Sequence, residues 1–204
     1  MNRHFIILLV LAIATILNSC KTEKSPINDS YEKELLVLTT EDSKRIYLEQ
    51  ILKDDQKVRG SKGQELMVLY GKNSDEHRRY IQAQLSQDSI NLLKIEKYLK
   101  MYGYPGKALG DRATTTPWMV IHHAQGYEVR ENNFEIIYKA YRSGDIDDGA
   151  VSFYLGRMYQ MKYGDRFRMK SPYKSEDEIN KLIKELDLES VKNKVLMSEI
   201  ETSI

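Results

Sequence analysis

The sequence predicts an all-α fold, a single compact bundle of about five to seven helices. From residue 31 onward, apolar residues recur at helical intervals of three and four nearly to the C-terminus. The 204 residues include only 11 glycines and 4 prolines, which leaves little turn chemistry for an all-β fold. Apolar residues at 41% and charged residues at 30% are typical of a globular domain rather than a disordered chain.

The first 20 residues, MNRHFIILLVLAIATILNSC, predict a targeting segment. Arg3 gives a basic start, and residues 5–17 are apolar. As a helix that run would cover about 20 Å, less than the ~30 Å hydrocarbon core, which favours a signal peptide over a membrane span. The segment resembles a bacterial lipoprotein signal, whose end reads Leu-x-small-Cys. The resemblance implies cleavage before Cys20, a diacylglycerol thioether on its sulfur and usually a further acyl chain such as palmitate on its amine.

This segment sets the expected domain organisation and location. Residues 1–19 form the signal peptide, residues 20–30 the lipidated Cys20 with a polar tether, and residues 31–204 the helical domain. Lipid chains would hold the domain at the cell membrane or outer membrane, in the periplasm or at the cell surface. An ordinary signal peptide with a coincidental cysteine is the alternative. The single cysteine excludes an internal disulfide and a cysteine-rich metal site.

Polar residues interrupt the apolar faces of the first two predicted helices. In residues 41–59, which Thr40 can cap, Asp55 and Arg59 continue the stripe of Leu48 and Leu52. The longest helix, between Ser74 and Gly103, carries a seam of residues spaced alternately by four and three: Ile81, Leu85, Asp88, Leu92, Ile95, Leu99 and Tyr102. A buried carboxylate needs a partner, and Arg59 is one candidate for Asp88.

A Gly- and Pro-rich loop at residues 103–110 precedes a predicted helix start at Thr116 and Pro117. Two adjacent histidines, His122 and His123, follow on this helix. Neighbouring helical residues point about 100° apart, so at most one of the two is expected at any one site and no shared metal is expected.

Three further helical segments complete the chain. The spacing predicts helices over residues 131–142 and 147–163, and a capping box at residues 175–178 predicts the start of another. From about residue 192 the pattern weakens, as in a frayed helix.

The polar residues on these faces admit two interpretations. They are either a buried acid–base network that fixes helix packing or a site in which His123 acts as acid or base. In the site, Asp88 or Asp55 would orient His123, and an arginine would hold an anionic substrate. No motif of a known reaction class supports a definite chemistry, and no cofactor or metal is expected. Without the signal peptide, 30 basic residues balance 30 acidic ones, which argues against a nucleic-acid partner.

Several short motifs in fixed order resemble an uncharacterised bacterial domain family. They are DQxxR from Asp55 to Arg59, Asp88, GYP at 103–105, WxxxHHA from Trp118, Arg157 and Gly164. The resemblance spans about residues 45–165 and places these residues on the family's motif positions: Asp55, Gln56, Arg59, Trp118, His123 and Arg157. His122 stands where the family has Gln, and Gly156 where it has Asp. The family's C-terminal QxYGTQ stretch is recognisable only at Tyr163 and Gly164. The resemblance brings no reaction with it.

Together these patterns favour a lipid-anchored envelope protein whose helical domain binds a small ligand or a protein partner without catalysis. The alternative is a hydrolase-like enzyme that uses His123 with Asp88 or Asp55 and an arginine on an anionic substrate. In either case Gln56, Arg59, Trp118 and Arg157 are the expected binding residues.

Overall fold

The computed structural model describes residues 26–202, and the regular elements within that range are all helical. The predicted signal peptide and Cys20 lie outside the described residues. Residues 1–37 form an N-terminal unit, of which helix α1 (Pro26–Leu36) is described. Helix α1 begins inside the segment predicted to be a polar tether, so residues 26–30 are helical.

The second unit, residues 38–204, contains the remaining described helices and no strand among them, which confirms the all-α prediction. A short 3-10 turn at Lys107–Leu109 precedes α5. The helices are α2 (Glu41–Lys57), α3 (Lys62–Tyr70), α4 (Asp75–Tyr102), α5 (Asp111–His123), α6 (Tyr127–Arg142), α7 (Asp148–Tyr163), α8 (Ser175–Glu185) and α9 (Glu189–Thr202). Their number exceeds the prediction partly because α3 was not predicted: its apolar residues are consecutive, at 66–70, rather than helically spaced, and none of them is buried.

Helices α2 and α4 begin where their caps predict. The Thr40 hydroxyl accepts a hydrogen bond from the backbone N–H of Ser43, and the Ser43 hydroxyl oxygen accepts one from the backbone N–H of Thr40. The Ser74 hydroxyl caps α4 through the backbone N–H of His77. Helix α4 ends at Gly103, whose φ of 75° favours glycine.

Two predicted helix starts are wrong. Helix α5 begins at Asp111, so Pro117 lies in its interior rather than in its first turn. A proline inside a helix lacks one backbone donor, which is why the sequence favoured a start there. The Thr116 hydroxyl donates to the carbonyl oxygens of Arg112 and Leu48, which ties this part of the helix to α2. Helix α6 begins at Tyr127, four residues before the predicted start at residue 131. Helix α8 begins at Ser175 as predicted, but no side chain caps it, so the predicted capping box is absent.

The core of this unit lies between two sets of packed helices. Helix α5 packs against α2, α4 and α6, while α7 packs against α5, α6 and α8. The residues that fill the space between them are almost fully buried: Leu48, Ile51, Ile95, Ile121, Phe134, Ile137, Tyr154, Leu155, Met158, Ile179 and Ile183. Among residues 26–202, no helix combines the length and the apolar character needed to cross a bilayer.

Candidate functional site

A buried acid–base network joins α2 to α4. Asp55 is 0% exposed, and its carboxylate lies 3.0 Å from Nη1 of Arg59, one helical turn later. Nη2 of Arg59 donates to Oδ1 of Asp88 on α4 at 2.6 Å. Arg59 therefore bridges two buried carboxylates, and it is the partner that the sequence indicated for Asp88. The arrangement compensates charges whose burial would otherwise be costly.

His123, the last residue of α5, joins this network through Asp55. Its Nδ1 lies 3.1 Å from both carboxylate oxygens of Asp55. Because a carboxylate accepts hydrogen bonds, the ring nitrogen that faces it must donate one. In the neutral imidazole of His123 the single proton is therefore on Nδ1. Within the described chain Nε2 has no hydrogen-bond partner, and the side chain is 21% exposed. The second ring nitrogen is thus left available to a molecule in solution.

The network forms one wall of an open cleft of about 660 Å³. Arg59, Asp88 and His123 line the cleft together with Phe153 and Arg157 of α7. Asp55 itself lies behind His123 and does not line the cleft. The volume falls in the range of small-molecule sites, and an exposed His–carboxylate pair in such a cleft is a feature of acid–base chemistry.

The cleft carries an excess of positive charge. Arg130, Arg157 and Arg166 line it in addition to Arg59, whereas Asp88 is the one carboxylate that does so among the described residues. Arg59 contacts both Asp55 and Asp88. Among the described residues, no carboxylate pairs with the other three guanidinium groups. In a concave, partly dry site this excess attracts anions.

Arg130 is the most unusual of these arginines because it is 1% exposed. Its guanidinium donates to backbone carbonyls at Gly126 and His122 and to the sulfur of Met161. Its Nε has no partner, and no carboxylate pairs with it in the part of the chain that the structure describes. Burial lowers the pKa of Arg130, and the neighbouring charge of Arg157 lowers it further. An anion in the cleft would offset this buried charge.

His122 also lines the cleft, which corrects the expectation that only one of the two histidines belongs to a single site. Its ring stacks on Phe153 with 4.4 Å between centroids and lies 5.6 Å from the ring of His123. The cleft is wide enough to reach both, although their side chains leave α5 in different directions and only His123 is partly exposed. Burial, together with the nearby Arg130, lowers the pKa of His122 to about 3, so this ring stays neutral and takes no part in proton transfer near pH 7.

The other residues predicted to bind a ligand differ in whether they line the cleft. Arg157 lines the cleft and donates to Gln160, one turn further along α7. Gln56 donates to Asp55 at 2.7 Å without lining the cleft, so it supports the network. Trp118 packs edge-on against His122, with centroids 6.2 Å apart, behind the site. Sequence reasoning missed Arg130 because the predicted helix began at residue 131, although Arg130 is four residues before Phe134 on the same buried face. It missed Arg166 because that residue lies outside the helices and on no periodic face.

Comparison with known proteins identifies no relative. No family model, no curated protein and no solved structure matches the chain. The resemblance to the uncharacterised bacterial family therefore stays a prediction. Among the described residues no three His, Cys, Asp or Glu side chains come together as a metal site would require.

The depressed pKa of His122 predicts how stability varies with pH. The unfolded chain takes up a proton on this residue below about pH 6.5, whereas the folded protein does not do so until about pH 3. The stabilisation is therefore complete above about pH 6.5 and is lost as the pH falls toward 3, by roughly 1 kcal/mol per pH unit. Chemical denaturation at pH 7 and pH 5 checks this: His122→Gln should lose less stability than the wild type over that interval. Equal losses in both proteins would contradict it.

Proposed function

We propose that the cleft binds a small anionic molecule. The single observation that carries this proposal is that Arg130, Arg157 and Arg166 line one cleft and have no acidic partner among the described residues. Guanidinium groups bind phosphate and carboxylate oxygens in pairs of charge-assisted hydrogen bonds. An anion of this kind would satisfy donors that the described residues leave without an acidic partner.

Binding of inorganic phosphate, sulfate and citrate by titration calorimetry tests this proposal. Arg157 is exposed, so Arg157→Gln should fold normally yet weaken binding of the best of these anions about tenfold or more, the loss of one charged hydrogen bond. Arg112→Gln, an exposed arginine of α5 outside the cleft, is the matched control and should bind as the wild type does. Failure of all three anions to bind, or equal binding by both variants, would overturn the proposal.

A second candidate function, hydrolysis of the bound anion, is favoured by the Asp55–His123 pair. Asp55 would hold the imidazole with its Nδ1 proton directed inward, which leaves Nε2 as the base at the cleft. A water molecule would give its proton to Nε2 while its oxygen forms a bond to the phosphorus or carbonyl carbon of an ester. The bond to the leaving group breaks, and His123 returns the proton to the leaving oxygen. The uncompensated arginines would stabilise the charge on the reacting group.

The predicted lipid at Cys20 would place this activity at a membrane surface. That placement depends on the sequence of residues 1–20 alone and stays a prediction. It is independent of the cleft, since binding and turnover can be measured on a chain that begins after residue 20.

A further inference from the structure

A row of exposed basic side chains continues outward from the cleft. Residues 164–174 connect α7 to α8 and contain four basic residues against one aspartate, a formal charge of +3. Arg166 and Phe167 line the cleft, and Arg168 and Lys170 follow immediately. We call the side chains of Arg166, Arg168 and Lys170 the basic strip.

The basic strip is ordered by the apolar residues between its members. Exposure alternates along residues 166–170, with the three cations exposed and Phe167 and Met169 half-buried. The ring of Phe167 packs edge-on against Tyr159 of α7, with centroids 5.1 Å apart. Such alternation is that of an extended segment, in which successive side chains on one side stand about 7 Å apart.

The cations of the strip have no acidic partners. In the range of residues that the structure describes, no hydrogen bond or ion pair involves the side chains of Arg166, Arg168 or Lys170. Other surface arginines are paired with carboxylates, for example Arg78 with Asp75 and Arg142 with Glu199. In a chain of net charge +1, the concentration of free positive charge beside one opening creates a local attraction for several linked negative charges.

We infer that the ligand is a linear phosphate polymer without nucleobases, with one charged end in the cleft and the following charges on the basic strip. This inference rests on the proposed anion-binding function and names the class of its ligand. A bilayer surface fits less well, because the apolar residues between the cations point inward and cannot insert into lipid. Nucleic acid fits less well, because the chain carries a net charge of only +1, whereas nucleic-acid binding depends on a marked excess of basic residues.

The test compares pyrophosphate with long-chain inorganic polyphosphate by titration calorimetry at several salt concentrations. The wild type should bind polyphosphate at least about tenfold more tightly than pyrophosphate. The double variant Arg168→Gln/Lys170→Gln should lose about tenfold in polyphosphate affinity and keep its pyrophosphate affinity. The slope of log K against log salt should also fall by about 1.4, which corresponds to two lost phosphate contacts.

A matched variant controls for the loss of net charge. Lys100→Gln/Lys107→Gln removes two exposed lysines that do not line the cleft, and it should bind polyphosphate as the wild type does. Equal affinity of the wild type for pyrophosphate and polyphosphate would overturn the polymer inference, and so would equal losses of polyphosphate affinity in the two double variants. In either case, measurable binding of pyrophosphate would still support the proposed function. Tighter binding of a single-stranded oligonucleotide than of polyphosphate would also overturn it. Failure of every phosphate probe to bind would instead remove the proposed function.

Discussion

Asp55→Asn is expected to lower the free energy of unfolding by about 3–5 kcal/mol, the usual result of removing one partner from a buried ion pair. Asp55 is fully buried, and its carboxylate accepts hydrogen bonds from Gln56 and His123 and forms an ion pair with Arg59, which also donates to the backbone carbonyl of Asp55. The amide cannot accept from all of them and adds donors that face other donors. Urea denaturation monitored by circular dichroism measures the change.

The neighbouring carboxylate provides a matched control. Asp54 is on the same helix, is partly exposed and accepts a hydrogen bond only from Gln50 among the described residues. Asp54→Asn should therefore change stability by less than about 0.5 kcal/mol. Asp88→Asn should fall between the two, because the described residues give Asp88 one charged partner, Arg59, whereas Asp55 also contacts Gln56 and His123. Equal effects of Asp55→Asn and Asp54→Asn would contradict the buried network.

His123→Gln is expected to reduce hydrolysis of an anionic ester by about 10²- to 10⁴-fold, the usual contribution of a general base. The probe is p-nitrophenyl phosphate, whose product is detected by absorbance. Because the His123 side chain is partly exposed, its loss should cost about 1 kcal/mol of stability, the value of one hydrogen bond. A large loss of turnover with a small loss of stability would separate a catalytic role from a structural one.

His77→Gln serves as the control for that experiment. His77 lies in the first turn of α4, where its Nδ1 contacts the backbone carbonyl of Lys72, and it does not line the cleft. Its substitution should leave turnover unchanged. If wild-type protein hydrolyses no ester, or if both histidine variants retain full turnover, the hydrolytic candidate fails and anion binding alone remains.

The spacing of residues predicted one part of the site well. Asp55 and Asp88 interrupt apolar stripes on long, regular helices, and such an interruption is costly unless a partner lies nearby. Arg59 is one turn from Asp55, so its position was constrained by the same periodicity. The sequence could not show which carboxylate contacts His123, because that contact depends on how α5 packs against α2.

Two features of the site region were missed because helix starts were predicted too late. Arg130 shares the buried face of Phe134 and Ile137, but it precedes the predicted start at residue 131, and the structure buries it against the C-terminal end of α5. The interior position of Pro117 was missed because the helix was predicted to begin at Thr116, whereas α5 begins at Asp111. Hydrogen bonds made by Thr114 and Thr116 stabilise the turn that a proline alone would disfavour.

Gly156 leaves open space in the cleft. It lines the cleft on α7, and a Cβ built there would meet no atom within 4 Å. A small side chain would therefore fit at this position without displacing a neighbour.

The most direct test of the anion-binding cleft is a nuclear magnetic resonance titration of the histidine rings with inorganic phosphate. Long-range proton–nitrogen spectra report each ring nitrogen separately. We predict that the neutral imidazole of His123 carries its proton on Nδ1. We also predict that phosphate shifts the ring signals of His123 but not those of His77. Shifts that are absent, or equally large at His77, would contradict the claim that the cleft lined by His123 and Arg157 is an anion site.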